Sequence, residues 1–117
     1  MKPTTNLKDF SCKATPANVA AVSDADLKTL GAQIPEWSLE NHDGILQLER
    51  TFKCSNFLQA LSIANQIGDI AESNDHHPAL VVEWGKIKVT WWSHSINGLH
   101  HNDFVMAAKT DEIYKTT

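Results

Sequence analysis

The sequence predicts an α+β fold, a four-stranded antiparallel sheet with three helices packed on one face, in the order helix-strand-strand-helix-strand-strand-helix. Two stretches predict the sheet: residues 37–53 and 79–94 each read as extended runs folded back at a tight-turn signal. Between them, Phe57, Ala60, Leu61, Ala64, Ile67 and Ala71 recur at helical spacing. Because both strand pairs read as hairpins, the sheet is expected to be antiparallel.

The chain has 117 residues and a formal net charge of −4, which suits a single domain able to bury a core without disulfides or a structural metal. The acidic balance argues against a nucleic-acid binder acting through phosphates. No apolar run approaches the roughly 18 residues of a membrane span. No export signal is evident, and Cys12 and Cys54 do not form a CxxC pair, so a cytoplasmic protein with reduced thiols is expected.

Residues 1–22 carry few large apolar side chains and read as an extended lead-in, with one domain over 23–117. Ser23 is placed to cap a first helix whose apolar side is Leu27 and Leu30, with Gly31 ending it. Residues 37–40 are extended, and Asp43-Gly44 signals a hairpin turn. In the following strand Leu46, Leu48 and Phe52 alternate with Gln47, Glu49 and Thr51, and Arg50 interrupts the apolar face as a rim residue. Ser55 is the expected cap of the long helix, which runs to about Asn74, or roughly 30 Å at about 1.5 Å per residue. Pro78 bars His77 from helical geometry. Residues 79–84 and 87–94 form the second hairpin around Gly85-Lys86, with Ile87, Val89 and Trp91 on one face and Lys88, Thr90, Trp92 and His94 on the other. The last helix is expected over 101–113 with Phe104, Val105 and Ala108 inward.

Chemistry concentrates where the long helix meets the second hairpin, in Glu72-Ser73-Asn74-Asp75-His76-His77-Pro78, with His94 where the hairpin returns. Counted along a helix, Glu72 and His76 are four apart and share a face, so Glu72 is expected to fix the His76 tautomer. His77, held extended by Pro78, should point elsewhere. Imidazoles aimed differently suit a reaction that needs both an acid and a base near neutral pH. A metal site is the rival reading, but adjacent histidines make a poor chelate and no HExxH or cysteine cluster is present, so no metal is expected. Trp84, Trp91 and Trp92 read either as packing or as a platform for a flat heterocycle. His100 and His101 read as solvent-facing.

Glu72, three residues, His76-His77-Pro78, five residues, Trp84, nine residues, His94, eight residues and Asp103 together resemble the signature of the pterin-4a-carbinolamine dehydratases. The resemblance runs from about Ser23 to Ala108 and takes in Arg50-Thr51-Phe52 and Gly98-Leu99. It implies dehydration of a 4a-hydroxytetrahydropterin to the quinonoid dihydropterin, which recycles the cofactor of aromatic amino-acid hydroxylases. By this resemblance His76, His77 and His94 are the catalytic set, and Glu72, Asp75, Pro78, Ser93 and Trp84 border the substrate. No cofactor is implied. The implied partners are the pterin substrate, a functional link to a hydroxylase, and further copies of the chain as a dimer or tetramer. The alternative is a non-catalytic pterin-binding or regulatory protein on the same fold. Two positions depart from the pattern: His100 stands where a Ser or Thr cap is usual, which should weaken the cap, and Asn102 stands where some members carry a basic residue.

Overall fold

The computed structural model describes residues 6–117. Its elements are α1 (Asp24–Gly31), β1 (Ser38–His42), β2 (Ile45–Lys53), α2 (Phe57–Asn74), β3 (Ala79–Glu83), β4 (Lys86–Trp91) and α3 (His101–Lys115), preceded by a short 3-10 turn, Leu7–Asp9. The four strands form one antiparallel sheet in the order β1-β2-β4-β3, so the expected α+β architecture is what the chain adopts.

The turn chemistry explains both hairpins. Asp43 and Gly44 take φ of 56° and 85°, the paired positive angles of a two-residue loop whose twist matches the strands. In the second hairpin Glu83 pairs with Lys86, so the loop is Trp84-Gly85, with Gly85 at φ 78°. The turn thus falls one residue earlier than expected and leaves the Trp84 ring at the tip, 74% exposed.

Register joins the hairpins into one apolar face. Leu48 lies opposite Trp91, Arg50 opposite Val89 and Phe52 opposite Ile87, and side chains of such pairs project to the same side. Ile63 and Ile67 of α2 and Phe104 and Val105 of α3 cover that face, all essentially without exposure. Burial of each such large side chain contributes about 1.5–3 kcal/mol. Arg50 is accommodated at the half-exposed rim: its guanidinium lies 4.4 Å from the Phe52 ring centroid and its Nη1 donates to Asp111 Oδ1 at 2.7 Å. Trp37 Nε1 donates to the same oxygen at 2.8 Å. Burial pushes the Asp111 carboxyl upward, against the lowering effect of these two donors.

Two boundaries and one side chain's burial differ from expectation. Asn56, rather than Ser55, caps α2, its Oδ1 accepting the Gln59 N–H at 2.8 Å. β4 stops at Trp91, because Ser93 pairs with Gly98 to clasp a tight loop. Gln47, read as wet, is buried, while Thr51 on the same face of β2 is exposed as expected.

His100 caps α3 after all. Its Nδ1 accepts the Asn102 N–H at 3.1 Å while Asp103 Oδ2 accepts the His100 N–H at 2.9 Å, a reciprocal capping box. An accepting Nδ1 requires a neutral ring. Burial lowers the His100 pKa, Asp103 opposes that shift, and His101 and His76 add to it. The unfolded chain takes up this proton near the ordinary value of 6.5 while the folded chain does not. Stability from this group is therefore complete above that value and is lost as pH falls through it towards the depressed folded value. His100→Asn keeps a cap that does not titrate. Urea unfolding between about pH 7.5 and about pH 5.5 is expected to show the wild type losing stability relative to His100→Asn. Parallel pH curves would contradict the assignment. His100→Ala is expected to cost about 1 kcal/mol at neutral pH.

Candidate active site

α2 ends by turning left-handed. Asp75 takes φ 48° and ψ 45°, a conformation that a short polar residue tolerates. The His76 N–H then donates back to Ala71 O at 3.1 Å and the Asp75 N–H to Glu72 O at 3.3 Å, the two bonds of a Schellman ending. His76 has left the helix, so the expected Glu72–His76 pairing does not form.

The structure exchanges the partners. His76 reaches across to α3, where its Nε2 lies 2.6 Å from Asp103 Oδ1. Its ring is 5% exposed and stacks parallel to Trp91, with centroids 5.7 Å apart and planes 3° apart. Trp91 is itself fixed by a 3.1 Å bond from its Nε1 to Thr110 Oγ1. Glu72 instead holds His77, Oε2 to Nε2 at 2.5 Å, on the surface. Pro78 is what makes this possible, since it keeps His77 extended and beside the last turn of α2.

Asp103 is the hub of the buried side. The carboxylate is fully buried and meets three donors: His76 Nε2, Ser93 Oγ at 2.7 Å and the His100 N–H at 2.9 Å. A carboxylate only accepts, so His76 carries its proton on Nε2, and Nδ1 is the ring nitrogen left free.

His94 opens the clasped loop after β4. Its exposed ring lies 4.2 Å from Trp92, tilted by 35°. Asp75, His76, His77, Ser93 and His94 line one open cleft of about 330 Å³, closed on its other side by Ser95, Ala14 and Thr15. The chain therefore brings together all three expected imidazoles, with Asp75 and Ser93.

The remaining expected residues lie elsewhere. Glu72 stands behind His77 and does not line the cleft, and neither does Pro78. Trp84 is at the far tip of the β3–β4 hairpin, roughly 16 Å along the strand at about 3.3 Å per residue, because that tip and the cleft are opposite ends of the same strands. His100 is half-buried in its cap rather than free in solvent, and His101 meets the Phe10 ring edge-on at 5.0 Å. A larger cleft of about 430 Å³ lies between Gln33, Arg50 and the end of α3, but no histidine lines it. Among the described residues no three His, Cys, Asp or Glu side chains group so as to hold a metal ion. No helix among them is long and apolar enough to cross a membrane.

Sequence reasoning missed Ala14, Thr15 and Ser95. No periodicity or motif marks them in the sequence. Asp103 was visible only as the last position of the spaced pattern, with no hint that it holds His76.

Residues 20–113 match the model of the family described as pterin 4 alpha carbinolamine dehydratase. Among solved structures, the chain is similar to a transcriptional coactivator/pterin dehydratase from Brucella melitensis. The two are 28% identical with a TM-score of 0.72, over 80% of this chain and 98% of that one.

The two carboxylate–histidine pairs should differ sharply in energetic weight. The Glu72–His77 pair has side chains 80% and 52% exposed, and such pairs contribute under about 1 kcal/mol. Removing Asp103 strands three buried donors, which typically costs about 3 kcal/mol or more. Denaturant unfolding is expected to separate Glu72→Ala from Asp103→Ala by at least about 2 kcal/mol. Equal losses would show that Asp103 is not the structural hub.

Proposed function

The chain belongs to the pterin 4 alpha carbinolamine dehydratase family, and from that premise we propose that it dehydrates a 4a-hydroxytetrahydropterin to the quinonoid dihydropterin by histidine acid–base catalysis. The observation that carries this reading is the convergence of His76, His77 and His94 on one open cleft, each under a different constraint.

The substrate carries a hydroxyl on the carbon beside a ring N–H. The carbon–oxygen bond breaks, the leaving oxygen takes a proton and departs as water, and the neighbouring nitrogen gives up its proton as the carbon–nitrogen double bond forms. Both proton transfers suit imidazole, whose ordinary pKa lies near neutral pH. His76 is locked by Asp103 and Trp91, so it serves to bind and orient the ring through its free Nδ1. His77 has Nε2 held by Glu72, which leaves Nδ1 as an acceptor and suits it to remove the nitrogen's proton. His94, exposed at the cleft against Trp92, is left to deliver the proton to the hydroxyl, a role that follows from the assignment of His77 as base. Asp75 and Ser93 border the bound pterin. The product would return to an aromatic amino-acid hydroxylase in the cytoplasm.

The same reading makes the protein a homo-oligomer. β1 and β3 are unpaired edges of the sheet, and Phe57, Leu58 and Leu61 expose apolar surface along α2. Light scattering at micromolar concentration is expected to give a multiple of the 13.0 kDa chain mass. A monomer would contradict this.

Steady-state turnover of the 4a-hydroxypterin is the direct test. His77→Ala and His94→Ala are each expected to lower kcat by about 100-fold or more. His76→Ala should raise KM more than it lowers kcat. Glu72→Ala should be milder than His77→Ala and act through His77. Near-normal turnover in both His77→Ala and His94→Ala would overturn the assigned site.

A further inference from the structure

The match to the family begins at residue 20, yet part of the cleft is built from Ala14 and Thr15, within the segment 12–15. This segment is pinned at both ends. The Cys12 N–H donates to Asn74 Oδ1 at 3.0 Å, at the end of α2. Ser95 Oγ donates to Thr15 O at 2.7 Å, beyond β4. Asn102 Nδ2, in the first turn of α3, donates to Lys13 O at 3.1 Å and to Thr15 Oγ1 at 3.2 Å. Thr15 is 6% exposed, in a stretch whose neighbours Ala14 and Pro16 are exposed. An ordered strap with one buried hydroxyl is more than a trailing terminus.

The hydroxyl has a determinate role. Thr15 Oγ1 and Ser93 Oγ are 2.9 Å apart, and either could donate if the pair stood alone. It does not stand alone. Ser93 gives its single proton to Asp103 Oδ2, which can only accept. Thr15 must therefore donate to Ser93, while its own oxygen accepts from Asn102. The bonds run one way, from Asn102 to Thr15 to Ser93 to Asp103, and Asp103 also accepts from His76.

We propose that Thr15 is a positioning residue for His76, acting through Ser93 and Asp103, and that Ala14 and Thr15 form a wall of the cleft that sets its fit to substrate. Without the Thr15 donor, Ser93 keeps its bond to Asp103 but loses the second partner that fixes its rotamer. Asp103 is then free to settle closer to the His100 N–H, and the His76 ring follows it. Misplacement of a positioning group on the order of 1 Å can cost about 100-fold in rate. The effect on turnover rests on the dehydratase reading, whereas the effect on His76 does not.

The test uses the full chain with Thr15→Val, which keeps the shape and removes the hydroxyl, and Thr15→Ser, which restores it. Proton NMR of the His76 Nε2–H, held between ring and carboxylate, reports on positioning without substrate. Thr15→Val is expected to broaden or shift that resonance and to lower kcat/KM by about 10-fold or more. Thr15→Ser should recover both. Asn102→Ala, which loosens the strap from the α3 side, should move both readouts the same way and less far, and it decides the matter if Thr15→Val fails to fold. An unchanged resonance in the folded variants would overturn the proposal whatever the activity. A wild type with no turnover, but with the resonance lost in Thr15→Val and regained in Thr15→Ser, would support the strap and refute the dehydratase reading.

Discussion

One fully buried carboxylate holds this molecule's working end together. Asp103 sits at the first turn of α3 and receives His76 from the exit of α2, Ser93 from the exit of β4 and the backbone of His100 from its own helix. The cost of removing an anion from water is offset only when its lone pairs are met by well-placed donors, as they are here. The helix cap, the strand exit and the buried imidazole therefore share one anchor. The stacking of His76 on Trp91 extends that anchor into the sheet core, since Trp91 is buried beside Val89 and tied to α3 through Thr110.

From this anchor the cleft grades from rigid to open. His76 is walled in, His77 stands exposed with one nitrogen tethered to Glu72, and His94 rests on Trp92 at the mouth. The left-handed residue at the exit of α2, Asp75, produces this gradient. It turns the chain sharply enough that two adjacent imidazoles face different surroundings, one dry and one wet. Had α2 continued one more turn, His76 would have lain over Glu72 on the surface, and Asp103 would have kept a buried charge with one donor fewer.

Much of the fold was legible in the chain because local rules decide it. Asp43-Gly44 specifies its hairpin by backbone angle alone, and the apolar stripe of α2 specifies the helix, although of that stripe Ala60, Ala64, Ile67 and Ala71 face the core while Phe57 and Leu61 are exposed. The three histidines were legible as a cluster because Pro78 and the strand return fix their neighbourhood. What was not legible were the contacts made across the fold. The partner of His76 lies 27 residues away and the partner of Ser93 in the strap lies 78 away, separations at which periodicity carries no information. The mistaken Glu72–His76 pairing came from extending helical geometry past Asn74, where an aspartate rather than the usual glycine takes the left-handed cap. Trp84 misled for a related reason: aromatic type and correct spacing matched the family's pattern, but spacing along a hairpin does not say which end a residue occupies.

The one-way run of hydrogen bonds from Asn102 through Thr15 and Ser93 to Asp103 has a consequence for how the sequence can change over time. Each hydroxyl in it both accepts and donates, so each bond's direction is inherited from the one before. A substitution at one position alters what its neighbours must be, and the energetic effects of changes at Asn102, Thr15 and Ser93 should not add. Replacing Ser93 by a residue that cannot accept would leave Thr15 pointing its proton at nothing, and the best residue at position 15 would then cease to be threonine. These positions are therefore expected to drift together or not at all, tying a stretch of chain outside the family's matched region to the same selective fate as the histidine it faces.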